Sequence, residues 1–136
     1  MLLPIAFLAV NSALADETKA EACLRTKVWE GYADGWGVRS MVTTEIEDGR
    51  TRAYLVTLYE GNEYQMKACA DERLVNADLL LYDTKGNVIA RDSTVSREPE
   101  LSFKPPATGT YYVVLYAREM TEAGGKGEVA VAVTYR

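Results

Sequence analysis

The chain has 136 residues, of which 48% are apolar, and it carries a formal net charge of −5 and no histidine. This length and composition suit one globular domain with a substantial core. The acidic balance disfavours a nucleic-acid partner or docking on anionic lipid, because both need clustered lysine and arginine. Without histidine, the chain lacks the commonest general base and the commonest transition-metal ligand.

The first 15 residues have the pattern of an export signal. An uncharged apolar run from Met1 to Val10 precedes Ala13 and Ala15, which form the small-x-small pattern that signal peptidase reads. The run is too short to span a membrane. The sequence therefore predicts a signal peptide over residues 1–15 and an exported chain that begins at Asp16. We expect the mature protein in the periplasm or outside the cell, with no membrane span.

Residues 16–35 are predicted to form an N-terminal helical segment. Ala20, Cys23, Leu24 and Val28 follow the three-to-four spacing of one helix face, and glycines from residue 31 onward end the segment. Cys23 and Cys69 are the two cysteines of the sequence. An even cysteine count in an oxidising compartment indicates a disulfide. We therefore predict that a Cys23–Cys69 bridge ties the helix to the rest of the domain.

From residue 36 onward the apolar period changes to two. A first strand is predicted to place six residues on one face, namely Trp36, Val38, Ser40, Val42, Thr44 and Ile46. Further strands are predicted over residues 52–59, 63–70, 78–82, 88–91, 101–103, 110–118 and 127–135, with turn residues between them. About eight short strands without intervening helices predict an antiparallel, jelly-roll-like β-sandwich over residues 36–136.

Two stretches of these strands resemble the bacterial pre-peptidase C-terminal domain family. The first runs through Asp78-Leu79-Leu80-Leu81-Tyr82-Asp83 to a Gly86-Asn87 turn, and the second contains Thr108-Gly109-Thr110-Tyr111. The resemblance covers roughly residues 50–135. It implies a small jelly-roll-like sandwich of secreted proteins that often sits beside a peptidase and is not itself catalytic. Some relatives bind fibrous protein or polysaccharide, and some bind calcium.

Acidic residues in two loops suggest a calcium-binding site. Asp71, Glu72 and Asp78 bracket one loop, and Asp83, Asn87 and Asp92 bracket the next. Calcium takes roughly six to eight oxygen ligands, many of them carboxylates. The alternative is that these aspartate and asparagine side chains order their own turns by accepting hydrogen bonds from nearby backbone amides. The sequence leaves both interpretations open.

Aromatic residues are the second candidate for a binding site. The chain has nine tyrosines and two tryptophans, and these side chains suit binding faces because they bury a large area with few rotatable bonds. Tyr112 and Tyr116 are predicted to share one face of a strand, and Trp36 lies between two glycines. We take these three as candidate ligand-binding residues. The alternative is that they fill the core or pair across strands.

These patterns predict an exported, non-catalytic binding or assembly module of the cell envelope or extracellular space, with a protein or polysaccharide partner. One alternative is a carboxylate-dependent carbohydrate-active or peptidase-like enzyme. Its candidate acid and base would come from the pairs Glu45 with Glu47 and Glu98 with Glu100. A further alternative is a structural subunit of a larger envelope complex, which a large exposed apolar patch would favour.

Overall fold

The computed structural model describes residues 17–136, and the predicted signal peptide lies outside them. Within this part of the chain, one helix precedes eight strands. Their bounds are α1 Lys19–Ala33, β1 Gly37–Glu47, β2 Thr51–Leu58, β3 Tyr64–Ala70, β4 Leu74–Asp83, β5 Val88–Asp92, β6 Glu100–Phe103, β7 Gly109–Met120 and β8 Lys126–Tyr135. No helix between residues 17 and 136 has the length and apolar character that crossing a membrane requires.

The described strands form two four-stranded sheets that pack face to face. Sheet A has the order β1-β8-β3-β6, and sheet B has the order β2-β7-β4-β5. Every pairing between neighbouring strands is antiparallel. This strand order is that of a jelly roll, in which two Greek keys wrap one core. The predicted antiparallel, jelly-roll-like sandwich with one N-terminal helix is therefore confirmed.

Strand β8 is buried on both faces. Val129, Val131 and Val133 point into the core between the two sheets, while Ala130 and Ala132 point to the opposite side of sheet A. Valine fills space between sheets, whereas alanine leaves room for an element that packs on the outside. The alternation of large and small residues in β8 thus prepares the outer side of sheet A for the helix.

Helix α1 covers that outer side. Thr18 caps the helix, because its Oγ1 atom accepts a hydrogen bond of 3.2 Å from the backbone N–H of Glu21. The buried face of α1 packs on β8 and on Cys69 of β3 through Ala20, Leu24 and Val28. The disulfide between Cys23 and Cys69, which are 46 residues apart, confirms the predicted bridge and fixes the helix to sheet A.

The prediction that Trp36 to Ile46 place alternate residues on one face is wrong. The pairing of β1 with β8 shifts register between Val38 and Ser40, which is the signature of a β-bulge. The extra residue reverses the alternation. As a result Val38 packs with the cluster under α1, while Val42 and Ile46 pack in the core between the sheets.

Strand β4 begins four residues earlier than predicted. The sequence pattern places its start at residue 78, whereas the strand starts at Leu74 and pairs there with Met120 of β7. Two register shifts, on either side of Asn76, interrupt the alternation of β4. These irregularities hide the first part of the strand from a search for period two, and they place Asn76 in the buried interior.

Candidate binding face on the outer side of sheet B

The outer side of sheet B carries a continuous apolar and aromatic surface, which we call the open face. Its residues alternate with core residues such as Val113, Leu115, Leu79 and Leu81, which point between the sheets. The open face comprises Thr51, Ala53 and Leu55 of β2, Tyr112, Val114 and Tyr116 of β7, Asp78, Leu80 and Tyr82 of β4, and Val88 and Arg91 of β5.

The strand register arranges the open face in three rows that cross the sheet. The rows follow from the pairing of β2, β7, β4 and β5. From β2 toward β5, the first row is Leu55-Tyr112-Tyr82-Val88, the second is Ala53-Val114-Leu80-Arg91, and the third is Thr51-Tyr116-Asp78. The first row is therefore apolar and aromatic, and the second is apolar except for Arg91 at its β5 end. The third row is polar at both ends and carries a buried carboxylate.

The outer sides of the two sheets differ in what covers them. Helix α1 packs on β1, β3 and β8 of sheet A. On the open face, by contrast, Leu55 is 64% exposed, Val88 is 45% exposed and Tyr112 is 39% exposed. Strands of a sandwich ordinarily turn polar residues outward. An apolar outer face that stays exposed is the usual mark of an interaction surface.

A groove of about 410 Å³ lies over the second and third rows of the open face. Two tyrosines, two arginines and one carboxylate contribute most of its functional groups. The lining residues are Thr51, Asp78, Leu80, Tyr82, Arg91, Ser93, Val114, Tyr116 and Arg118. The groove therefore combines aromatic walls with a small number of charged groups, which is typical of a recognition site.

Asp78 is the least satisfied polar group of the groove. Its side chain is buried, and Oδ2 accepts a hydrogen bond of 3.1 Å from Nη1 of Arg118. The second oxygen, Oδ1, is buried without a hydrogen-bond partner among the described residues. An unsatisfied buried carboxylate oxygen costs stability. A buried unsatisfied group of this kind therefore calls for a specific explanation.

The structure brings together some of the candidate residues and separates others. Tyr112 and Tyr116 both lie on the open face, and Tyr116 is the direct cross-strand neighbour of Asp78. Trp36 is elsewhere: it is 7% exposed, precedes β1 of sheet A, and lies under the guanidinium group of Arg136 at 4.7 Å from the ring centre. Trp36 thus lies away from the two tyrosines, where it lines a separate cavity of about 280 Å³ together with Phe103 and Arg136. Ligand binding by Trp36 stays a prediction of the sequence.

Several residues of the open face were missed by sequence reasoning. Leu55, Tyr82 and Arg91 belong to it, and Arg118 lines its groove, because of cross-strand register and not because of any local motif. Outward apolar residues in β2 and β4 were a usable signal, since both strands carry apolar residues at positions that alternate with their core residues.

Asp71 is engaged within the fold. Its Oδ1 accepts the backbone N–H of Arg73, and its Oδ2 accepts the N–H of Glu128 and the guanidinium group of Arg73. Burial raises the pKa of Asp71, but these hydrogen bonds and the charge of Arg73 outweigh it, so the pKa lies below its ordinary value of 3.8. Asp71 therefore joins the turn before β4 to strand β8.

Replacing Asp71 with asparagine is expected to lower the free energy of unfolding at neutral pH by about 2 kcal/mol, because charge-assisted hydrogen bonds to a buried carboxylate are lost. The folded-state pKa of Asp71 is depressed, so its contribution is complete above 3.8 and disappears as the pH falls through the folded-state pKa. Urea unfolding of wild type and Asp71→Asn from pH 7 to pH 2 checks this. A stability difference that stays constant over that range contradicts it.

The other predicted calcium ligands also have partners. Hydrogen bonds from the amide of Asn87 and then its side chain, together with the amide of Lys85, lower the pKa of Asp83. Burial raises the pKa of Asp92, but hydrogen bonds from Thr94 and from the amide of Glu100 outweigh it and lower the pKa. These contacts are the ones expected of carboxylates that order their own turns.

The carboxylates of the calcium hypothesis are not gathered at one place. Among the residues that the structure describes, one set of three potential metal ligands lies within 4.8 Å of one another, and it consists of Cys23, Cys69 and Glu98. The two sulfur atoms of that set are joined in the disulfide. Calcium binding by the acidic loops stays a prediction of the sequence.

The two glutamate pairs form surface ion pairs. Glu98 and Glu100 both lie near Nζ of Lys27, at 3.2 and 3.6 Å. Glu45 and Glu47 both lie 3.7 Å from Nζ of Lys126. Each pair is thus neutralised in part by one lysine. None of the four carboxylates lines the groove of the open face.

Comparison with known proteins places the fold. By sequence, no protein-family model and no curated protein matches the chain. By structure, the chain is similar to PliG from Aeromonas hydrophila, a periplasmic lysozyme inhibitor of g-type lysozyme. The TM-score is 0.55 at 16% sequence identity, over 71% of this chain and 85% of that one.

The pre-peptidase C-terminal domain of collagenase from Bacillus anthracis is similar to the same degree. Its TM-score is also 0.55 at 16% identity, over 71% of this chain and 90% of that domain. The fold is therefore the pre-peptidase C-terminal type that the sequence resemblance implied. At this level of identity the likeness concerns the fold alone.

Proposed function

We propose that this protein is an exported, non-catalytic module that binds a protein partner through the open face of sheet B. The observation that carries the proposal is the unequal covering of the two sheets. Sheet A has a helix tied over its small outward residues, while sheet B leaves Leu55, Tyr112 and Val88 exposed and the other large apolar residues of the first two rows partly exposed. A partner surface gives those rows the cover that α1 gives sheet A.

The composition of the open face suits protein recognition. Tyr112 and Tyr82 are direct cross-strand neighbours in the first row, with Leu55 beside Tyr112. Tyrosine buries a large area at a low cost in side-chain entropy and dominates many interface hot spots. These residues sit on paired strands, so the surface is held in shape before the partner arrives and little ordering is needed on binding.

Two further observations support a non-catalytic, exported role. The groove contains one carboxylate, Asp78, which is bound to Arg118, whereas acid–base hydrolysis of a glycosidic bond uses two carboxylates. The Cys23–Cys69 disulfide suits an oxidising compartment, in agreement with the signal-peptide pattern of residues 1–15. PliG, which shares the fold, is a periplasmic inhibitor of another protein.

The proposal is tested by placing a charge on the open face. Leu55→Asp is expected to reduce recovery of the partner at least about tenfold when the tagged mature protein is purified from its own cell envelope, because an unpaired carboxylate in an apolar interface is costly. Met41→Asp is the matched control, since Met41 is 48% exposed on β1 of sheet A. Mass spectrometry of the co-eluting proteins measures recovery.

The supporting result is one protein that wild type and Met41→Asp retain in equal amounts and Leu55→Asp does not. Equal retention by all three variants refutes the open face as the contact surface. Recovery of glycan in place of protein, also lost in Leu55→Asp, assigns the face to a polysaccharide instead. Self-association that Leu55→Asp abolishes assigns it to a second copy of the chain.

A further inference from the structure

We propose that Arg91 and Arg118 form a binding site for an acidic side chain of the partner protein, and that Asp78 is the positioning residue that holds Arg118. The inference rests on the proposed function and deepens it. It assigns the charged end of the open face a specific chemistry, whereas the apolar rows supply area without selectivity.

The two arginines offer donors that the fold does not use. Arg118 donates one hydrogen bond to Asp78, and its side chain is 56% exposed. Arg91 lines the same groove, is exposed, and has no ion pair or side-chain hydrogen bond among the described residues. A guanidinium group presents five N–H donors in a fixed fork that matches a carboxylate in two parallel hydrogen bonds.

The local charge of the groove is opposite to that of the whole chain. Two guanidinium groups face one carboxylate there, although the net charge of the protein is −5. Charges beyond about 8 Å are largely screened at physiological ionic strength. The groove therefore attracts an anionic group at close range, and the acidic remainder of the surface does not cancel that attraction.

The position of Asp78 is explained by this role and not by folding. Its neighbours two residues along on the same side of β4 include Leu80, and an apolar side chain at position 78 would extend the apolar surface. Instead the chain buries a carboxylate to 3% exposure, and Oδ1 has no hydrogen-bond partner within residues 17–136. Holding Arg118 against the sheet fixes the direction of its remaining donors.

The groove suits an acidic peptide segment because it combines charged donors with aromatic surface. Arg91 and Arg118 line the groove and offer N–H donors to a side-chain carboxylate. Tyr82 and Tyr116 line the same groove and supply flat surfaces against which a peptide can pack.

The first test uses short synthetic peptides as probes. The mature protein is titrated with acetyl-Ala-Glu-Ala-Glu-Ala-amide and with analogues that carry glutamine or lysine at both glutamate positions. We expect the glutamate peptide to shift the backbone amide NMR signals of β4, β5 and β7, and to bind at least about tenfold tighter than either analogue. Arg91→Gln and Arg118→Gln should each weaken binding of the glutamate peptide about tenfold, whereas Arg39→Gln on sheet A should leave it unchanged.

Preferential binding of the lysine peptide, or no shifts with any peptide, overturns the inference. So does binding of an oligogalacturonate with no binding of the glutamate peptide, which assigns the site to an acidic glycan. If Leu55→Asp loses the partner but the peptide does not bind, the inference alone has failed. If Leu55→Asp keeps the partner, the proposed function has failed as well.

The second test separates positioning from structure. Asp78→Leu is expected to unfold at the same or a higher urea concentration than wild type, because it removes a half-satisfied buried carboxylate, and to bind the glutamate peptide about tenfold more weakly. Asp78→Asn, which keeps the shape of the side chain, should also weaken binding of the glutamate peptide. A variant that is less stable than wild type yet binds the peptide normally when folded shows that Asp78 serves only the fold.

Discussion

Replacing Cys23 and Cys69 together with alanine is expected to lower the free energy of unfolding by about 4 kcal/mol. The two residues are 46 apart in the sequence. Cross-linking a loop of that length removes conformational entropy from the unfolded chain, and the chain-entropy relation assigns about 4 kcal/mol to it. The total free energy of unfolding of a small domain is typically about 5–15 kcal/mol, so this loss is a large part of it.

The loss of stability should be greatest at helix α1. Helix α1 contacts sheet A through a narrow apolar face, in which Leu24 is the largest fully buried side chain. Without the bridge, that contact and surface ion pairs such as those of Lys27 with Glu98 and Glu100 must hold the helix. Urea unfolding measures the change, and reduction of the wild-type disulfide should reproduce it. An unfolding midpoint that neither treatment alters would contradict the stabilising role of the bridge.

Replacing Tyr112 with alanine is expected to weaken partner binding by about 2 kcal/mol, or about 30-fold in the dissociation constant. Tyr112 lies at the centre of the first row, where its cross-strand neighbours are Leu55 and Tyr82. The ring therefore joins the apolar residues of three strands into one surface. Because the side chain is 39% exposed in the unbound protein, the free energy of unfolding should change by less than about 1 kcal/mol.

Tyr32→Ala is the matched control for Tyr112→Ala. Tyr32 is 53% exposed on α1, on the opposite side of the sandwich, so its removal should leave the dissociation constant unchanged. Surface plasmon resonance with the purified partner compares the two variants. A larger loss of affinity for Tyr32→Ala than for Tyr112→Ala would indicate that the partner contacts the helix and not sheet B.

Most of the fold could be predicted from the sequence because the strands alternate strongly. In β7, residues such as Val113 and Leu115 point into the core and Tyr112 points outward, as period two requires. The failures are local. A bulge after Val38 reverses the alternation of β1, and the register shifts around Asn76 hide the start of β4. Bulges depend on cross-strand pairing, which a local pattern does not contain.

The candidate site was harder to predict, because it depends on which sheet the helix covers. The sequence shows that Tyr112 and Tyr116 share a face but not whether that face is open. The answer lies in Cys69, which belongs to β3 of sheet A and draws α1 to that sheet. The approach of Asp78 to Tyr116 likewise depends on the register between β4 and β7. Neither fact has a local signature.

Hydroxyl-radical footprinting of the unmutated protein, alone and bound to its partner, with mass spectrometry of each side chain, shows directly which face the partner covers. If the partner covers sheet B, Leu55, Tyr112 and Tyr82 lose reactivity in the complex, while Trp29 and Tyr32, which are exposed on α1, keep theirs. Protection of Trp29 and Tyr32, with the open face still reactive, would contradict the assignment of the binding surface to sheet B.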